Sequence, residues 1–195
     1  MKKFILLSAF IVVISTANAQ RIKETFNSNS LGWTEFPKID DYGSAIIENG
    51  VLKISADDDR FVVASCYVPI DIMKPFEVQA NVTVKKFTDY NLAGIVFNYK
   101  DNGNFYSFGF DEDYAVFRRY EDNKLVGYIY QATNWRKKRK VDINISLISD
   151  GNTLTFKIDG ATIMNIRYMP LSYNGFGFYA TNEQQLMVND VEFIQ

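Results

Sequence analysis

Hydrophobic and polar residues alternate along most of the chain after residue 20, and a short turn sequence ends each alternating segment. Val141, Ile143, Ile145 and Leu147 occupy every second position, with polar residues at 142, 144 and 146 between them. A period of two places successive side chains on opposite faces of a β-strand, whereas an amphipathic helix has a period of about 3.6. The pattern therefore predicts strands, each with one buried face and one solvated face.

The turn sequences predict how these strands are connected. Asn49-Gly50 separates two alternating segments, and this dipeptide suits the type I′ turn of a β-hairpin. Similar turns occur at four other places: Asp101-Asn102-Gly103-Asn104, Asp122-Asn123, Asp150-Gly151-Asn152 and Asp159-Gly160. No segment has the pattern of an amphipathic helix, and no linker or repeat divides the chain. We predict an antiparallel meander folded into one all-β sandwich, a single domain over residues 20–195.

Residues 1–19 have the organisation of a secretory signal peptide. Lys2 and Lys3 form a basic start, an apolar run follows over residues 4–14, and Ala17-Asn18-Ala19 supplies the small residues that signal peptidase recognises. The run is short for the alternative, a transmembrane anchor, and no stop-transfer charges follow it. We therefore expect export to the periplasm or out of the cell, no membrane insertion, and a mature chain that begins at Gln20.

Two residue counts exclude several kinds of site. The chain has no histidine and a single cysteine, Cys66, which excludes His-dependent triads, zinc sites built on His or Cys pairs, and intramolecular disulfides. We expect Cys66 to be a small buried hydrophobic side chain. The 21 basic and 23 acidic residues are too evenly balanced for a nucleic-acid-binding protein, and nothing in the sequence implies a cofactor.

Three charged clusters have both a functional and a structural interpretation. Asp111-Glu112-Asp113 offers paired carboxylates of the kind that glycosidases use, but its position between two strands favours a turn. Asp57-Asp58-Asp59 offers oxygen ligands for Ca²⁺, yet no recognised spacing supplies the other ligands, so we predict no metal site. The run Arg136–Lys140 could bind an acidic polysaccharide, although a solvated loop is the favoured interpretation.

Aromatic side chains form the strongest candidate for a binding site. Arg118 and Tyr120 share one face of a strand, and Tyr128 and Tyr130 share one face of the strand paired with it. If these faces point to solvent, the four side chains form a flat platform for sugar rings, and their polar groups can bond sugar hydroxyls. The alternative is that the tyrosines only cover the edge of the sandwich. Trp135 joins this candidate site because a large aromatic in a polar loop is costly to expose.

Several motifs, taken in order, resemble a known family. They are Glu24-Thr25-Phe26-Asn27 with Gly32-Trp33, then Asn49–Ile54, Ala93–Asp101, Asn104–Phe108, Gly175–Ala180 and Val188–Phe193. This series resembles the concanavalin A-like, laminin-G-like jelly roll of exported bacterial proteins, which has a branch of domains of unknown function associated with 3-keto-glycoside hydrolysis. The resemblance implies a β-sandwich in which glycines make tight turns and aromatics fill the core. Asn98 stands where that branch often has a basic residue, and this departure argues against catalysis.

Together these observations predict an exported, non-catalytic protein that binds a carbohydrate or a glycan-bearing surface. One alternative is a glycoside hydrolase or lyase that uses Asp111, Asp113 or Glu77, because without histidine every proton transfer needs a carboxylate, tyrosine or lysine. Another alternative is a scaffold that binds a protein partner through an exposed sheet edge or an aromatic patch.

Overall fold

The structure, a computed structural model, describes residues 19–85, 91–133 and 141–195. These residues form fifteen strands and no helix, so the predicted all-β class is confirmed. The strands are β1 Arg21–Glu24, β2 Phe36–Ile39, β3 Gly43–Glu48, β4 Val51–Ala56, β5 Phe61–Tyr67, β6 Phe76–Val84, β7 Ala93–Asp101, β8 Asn104–Phe110, β9 Tyr114–Glu121, β10 Lys124–Ala132, β11 Val141–Ser149, β12 Thr153–Ile158, β13 Ala161–Arg167, β14 Gly175–Thr181 and β15 Gln185–Ile194. Among the described residues, no helix is long and apolar enough to cross a membrane.

Two groups of predictions fall outside the described residues. The predicted signal peptide is one of them, except for Ala19 at its end. Trp135 and the basic run Arg136–Lys140 form the other.

The strands form two antiparallel sheets that pack face to face. One sheet has nine strands, in the order β13-β12-β11-β6-β15-β4-β3-β2 with β1 paired to β15; the other has six, in the order β10-β9-β8-β7-β14-β5. Their inner faces meet in one core, where the rings of Phe108 on β8 and Phe156 on β12 stack with centroids 4.9 Å apart. Each large apolar side chain buried in this way contributes about 1.5–3 kcal/mol. The predicted β-sandwich is confirmed.

Three hairpin turns have the backbone that their sequences predict. Both central residues have positive φ in Asn49-Gly50 (53° and 72°), Asp122-Asn123 (48° and 61°) and Asp159-Gly160 (49° and 78°). A type I′ turn requires positive φ at both positions, which Gly, Asn and Asp adopt at the lowest cost. The flanking strands pair as hairpins, β3 with β4, β9 with β10 and β12 with β13.

The predicted faces of β11 and β12 are also correct. Ile143, Ile145 and Leu147 of β11 are buried, and so are the three alternating apolar residues of β12. The side chain of Val141 lies outside what the structure describes. Alternation therefore assigned these side chains to the core correctly.

The chain is not the simple meander that the turns predict. The series β2–β4, β7–β10 and β11–β13 each stay within one sheet, but the connections between and after these series cross from one sheet to the other. As a result β14 lies between β7 and β5, and β15 lies between β6 and β4. A turn sequence determines only the pairing of strands that are adjacent in the chain, so the prediction was wrong for β5, β6, β14 and β15.

The core also contains one tryptophan and the single cysteine. Trp33 packs between Phe26 and Phe178, with ring centroids 5.6 Å away in both cases, and its indole N–H has no hydrogen-bond partner among the described residues. Cys66 is buried and unpaired, and desolvation, with a smaller effect of the Glu24 carboxylate, raises the pKa of its thiol far above the ordinary value. A thiol that stays protonated is a poor nucleophile, and the predicted buried position of Cys66 is confirmed.

Candidate functional site

The six-stranded sheet has one face on the core and an opposite face, which we name the cleft face. Two rows of paired residues cross the cleft face from β5 to β10. One row is Val63, Tyr179, Gly94, Gly109, Val116 and Tyr130, and the other is Ser65, Gly177, Val96, Ser107, Arg118 and Tyr128. Neighbours within a row are directly opposite in register, which places their side chains about 5 Å apart.

Tyr179 occupies space that Gly109 of the first row leaves open. Its hydroxyl lies where a side chain on Gly109 would stand, and Gly94 packs against the backbone of β8. Desolvation raises the pKa of Tyr179 to about 12, although the Arg118 cation and a hydrogen bond with Ser107 act in the opposite direction. The hydroxyl is therefore protonated at neutral pH and lies near the Arg118 charge.

A stack of three rings lies beside Tyr179. Phe105 lies between Phe61 and Tyr120, with centroids 5.5 and 4.9 Å away and ring planes 21° from parallel in both pairs. Phe61 also contacts Tyr179, with centroids 4.9 Å apart. Tyr99 and four aliphatic side chains complete this cluster, which is separate from the core between the sheets; the aliphatic residues are Val63, Leu92, Val96 and Val116. The cleft face thus has its own apolar floor.

Two adjoining depressions open over this floor. The first has a volume of about 490 Å³ and includes the three stacked rings together with Asp59 and Arg60. The second has a volume of about 390 Å³ and is lined by Asp111, Tyr114, Tyr128 and Tyr130, among others. Leu92, Arg118 and Asn182 line both depressions. Volumes of this size are typical of small-molecule sites.

The structure brings most of the predicted site residues to these depressions. Arg118 joins Tyr128 and Tyr130 in the second depression and joins Tyr120 in the first. Tyr128 and Tyr130 face solvent, with exposed fractions of 51% and 63%. The predicted flat platform is not formed, because the rings of Tyr128 and Tyr130 are inclined by 45° and Tyr120 stacks on Phe105 instead.

A β-bulge in β10 contributes to the separation of Tyr120 from the other two tyrosines. Leu125 is opposite Tyr120 and Gly127 is opposite Arg119, so Val126 is an extra residue in this strand. Tyr120 therefore has an aliphatic side chain as its cross-strand neighbour. Because a bulge inserts one residue without interrupting the alternation visible in the sequence, the platform prediction did not include it.

The acidic residues considered for catalysis do not meet at one point. The Asp111 carboxylate accepts hydrogen bonds from the backbone N–H groups of Asp113 (2.9 Å) and Tyr114 (2.7 Å), which confirms the predicted turn between β8 and β9. The Asp113 side chain is exposed. Glu77 lies on β6 in the other sheet, where its carboxylate accepts a hydrogen bond from Gln79.

The carboxylates of Asp57-Asp58-Asp59 line different depressions. Asp57 forms an ion pair with Lys38 at 3.5 Å and, with Asp58, lines a separate depression at the end of β4. Asp59 lines the first depression of the cleft face. In the part of the chain that the structure describes, no three His, Cys, Asp or Glu side chains are placed to hold a metal ion together.

Sequence reasoning missed several residues of the cleft face. Phe105 and Ser107 alternate along β8 as Arg118 and Tyr120 do along β9, so the pairing of β8 with β9 could have indicated them. Phe61 and Asn182 had no comparable signal, because β5 and β14 join this sheet through long-range pairings.

Comparison with known proteins finds similarity in three-dimensional structure but not in sequence. No protein-family model and no curated protein sequence matches the chain. Among solved structures, GH43B of a Bacteroides ovatus xyloglucan PUL has a TM-score of 0.62 at 16% identity, over 89% of this chain and 39% of that one, so the chain spans about two fifths of its length. The Bacillus licheniformis beta-glucanase has a TM-score of 0.63 at 10% identity, over 89% and 97% of the two chains. The carbohydrate binding module CBM66 from Bacillus subtilis has a TM-score of 0.55 at 15% identity, over 82% and 94%.

At these identities the likeness concerns the fold. The two packed antiparallel sheets, the crossing connections and these neighbours agree with the sequence resemblance. The chain has the concanavalin A-like jelly-roll fold.

Proposed function

We propose that this chain is an exported, non-catalytic module that binds a glycan on its cleft face. The observation that carries the proposal is the pair of depressions lined by aromatic rings, with Arg118 and Asn182 shared between them. The C–H faces of sugar rings pack on aromatic rings, while tyrosine hydroxyl, guanidinium and amide groups bond sugar hydroxyls. Such an apolar surface with a few polar groups is typical of a ligand site.

Two further observations support the proposal. The solved structures with this fold include a carbohydrate binding module and a beta-glucanase, so the architecture is used for carbohydrates in those proteins. The basic start, apolar run and Ala17-Asn18-Ala19 site of the first 19 residues support export.

Substitution of Tyr128 by alanine tests the location of the site. A glycan array with the purified protein first identifies a ligand, and isothermal titration calorimetry then measures its affinity. We expect Tyr128→Ala to weaken binding about fivefold or more, because a stacked ring contributes on the order of 1 kcal/mol. The melting temperature should change little, since half of this side chain is exposed.

Tyr67→Ala is the matched control for this substitution. Tyr67 is 67% exposed on β5, at the opposite edge of the same sheet, and it is not among the residues that line the two depressions. Its removal should leave affinity unchanged. If both variants lose glycan affinity equally, or if Tyr128→Ala loses none, the glycan does not bind at Tyr128.

Export is tested separately. Mass spectrometry of the protein recovered from the periplasm or medium should give an N-terminus at Gln20. A chain that keeps residues 1–19 would contradict the signal-peptide assignment.

A glycoside hydrolase is the second candidate, because the buried carboxylate of Asp111 lines the second depression beside Arg118. Incubation of the protein with its bound glycan should release no new reducing ends if the module is non-catalytic. Release that is abolished in Asp111→Asn would instead establish the hydrolase.

A further inference from the structure

We infer that the cleft face recognises the carboxylate of an acidic sugar. This inference rests on the proposed glycan-binding function and specifies the class of ligand. Arg118 is common to both depressions, and its side chain is half-buried. Among the described residues, none forms a side-chain hydrogen bond or an ion pair with this guanidinium. A partly desolvated cation of this kind is best compensated by an anion.

The residues directly opposite Arg118 are neutral. Ser107 pairs with it on β8 and Tyr128 pairs with it on β10. The nearby Tyr179 hydroxyl stays protonated at neutral pH, because its pKa is raised to about 12. In the second depression the Asp111 carboxylate is already engaged by two backbone N–H groups. The N–H groups of the Arg118 guanidinium are therefore left for a ligand to bond.

The first depression contains a further cation. Arg60 lines it together with Arg118, and Asp59 is the carboxylate among the residues that line it. Arg60 donates one hydrogen bond from Nε to the backbone carbonyl of Asp41 at 2.5 Å, which positions this side chain. The chain as a whole carries a formal charge of −2, so any attraction for an anion at this place is local and is not a property of the whole surface.

The chemistry of a sugar acid matches this arrangement. Two N–H groups of a guanidinium donate in parallel to the two oxygens of a carboxylate, and such charge-assisted bonds are about twice as strong as bonds between neutral groups. A single neutral hydroxyl cannot accept this parallel pair of bonds. In a uronic acid the carboxylate is attached directly to the pyranose ring. With the carboxylate on Arg118, the sugar ring can therefore lie on the neighbouring Tyr128.

The test compares one oligosaccharide in its charged and uncharged forms. Galacturonic acid oligosaccharides, glucuronic acid oligosaccharides and their fully methyl-esterified counterparts are titrated into the purified protein by calorimetry. We expect one of the acids to bind at least about tenfold more tightly than its ester, which is about 1.4 kcal/mol. Arg118→Gln should remove this difference, and Arg118→Lys should restore only part of it, because an ammonium cannot make the paired bonds.

Arg167→Gln is the matched control, since Arg167 is an exposed cation on β13 of the other sheet. It should retain the preference for the acid. If Arg118→Gln and Arg167→Gln lose the preference for the acid equally, the inference is overturned. It is also overturned if the ester binds as tightly as the acid. A sulfated oligosaccharide that binds when no uronic acid does would overturn the carboxylate assignment. If the carboxylate inference fails in one of these ways but the protein still binds a glycan, the proposed function is retained. If no glycan on the array binds, both the inference and the proposed function are refuted.

Discussion

Asn98 has a structural role that could not be seen from the sequence motif Ala93–Asp101 in which it lies. It lies within β7 at a φ of 47°, beside irregular pairing with both neighbouring strands, and is 1% exposed. Its Oδ1 accepts hydrogen bonds from the Tyr168 hydroxyl (3.2 Å) and the Leu171 N–H (3.0 Å), and its Nδ2 donates to the Tyr173 carbonyl (3.3 Å). Asparagine tolerates the left-handed region and supplies both donor and acceptor. The departure from a basic residue at this position is thus explained by backbone and packing.

Asn98→Ala should lower the free energy of unfolding by about 3 kcal/mol, because one buried and two partly buried polar groups lose their partner and alanine is strained at positive φ. Urea denaturation measures the loss. Hydrogen exchange of the Leu171 amide should accelerate, since that N–H is no longer bonded. Asn98→Gly relieves only the backbone strain, so it separates the two causes. A glycine variant as stable as the wild type would mean that the three hydrogen bonds contribute nothing.

At the scale of strands, sequence patterns predicted local pairing well and long-range pairing poorly. The hairpins around Asn49-Gly50 and Asp122-Asn123 followed from turn chemistry, because their positive φ values favour those residues. The candidate site was found in part, since Arg118 and the two exposed tyrosines belong to one such hairpin. The ring of Phe61 was missed because β5 reaches the sheet only through β14, a pairing that depends on the whole core.

Deletion of single residues in β10 tests its register. Removing Val126, the extra residue of the bulge, should leave Tyr128 opposite Arg118 and change the free energy of unfolding by less than about 1 kcal/mol, since this strand is at an exposed edge. Removing Ile129 instead must turn Tyr128 or Tyr130 away from the cleft face, because a shift of one residue reverses a side chain. Glycan affinity should fall about fivefold or more only in the second variant.

Nitration of Tyr128 and Tyr130 by tetranitromethane gives a readout that needs no glycan. The pattern of modified tyrosines should change on deletion of Ile129 and stay the same on deletion of Val126. The reverse result would contradict the position of the bulge.

At the scale of the whole molecule, the core and the cleft face are separate layers on the two sides of one sheet. The main core is continuous between the sheets, whereas the cluster around Tyr179 lies on the cleft face. Buried tyrosines belong to both layers, because Tyr106 and Tyr168 are in the main core. Exposed residues of the cleft face can therefore be substituted without loss of the fold. Because both layers contain buried tyrosines, high pH should destabilise both of them.

The protein should lose stability between about pH 10 and pH 12. Desolvation raises the pKa values of Tyr106 and Tyr179 to about 12, above the usual value of 10, and raises that of Tyr168 further. Below pH 10 these hydroxyls are protonated in both states. Between pH 10 and 12 the unfolded chain releases protons that the folded chain keeps, so the free energy of unfolding falls by up to about 3 kcal/mol for Tyr179. Melting temperatures measured across this range should therefore decrease.

Tyr179→Phe is the control for this pH dependence. Phenylalanine cannot ionise, so the melting temperature of this variant should decline less steeply above pH 10. An identical slope in the two proteins would mean that Tyr179 does not contribute to alkaline unfolding.

The position of Trp33 gives this protein an internal optical probe. The chain has two tryptophans, and Trp33 lies in the core, 2% exposed, with its indole ring stacked on Phe178. An indole shielded from water emits at shorter wavelength than a hydrated one. In a Trp135→Phe variant the remaining fluorescence would therefore shift to the red when the two sheets separate. A glycan held by the tyrosines of the cleft face would leave that emission unchanged, so the red shift would report unfolding alone.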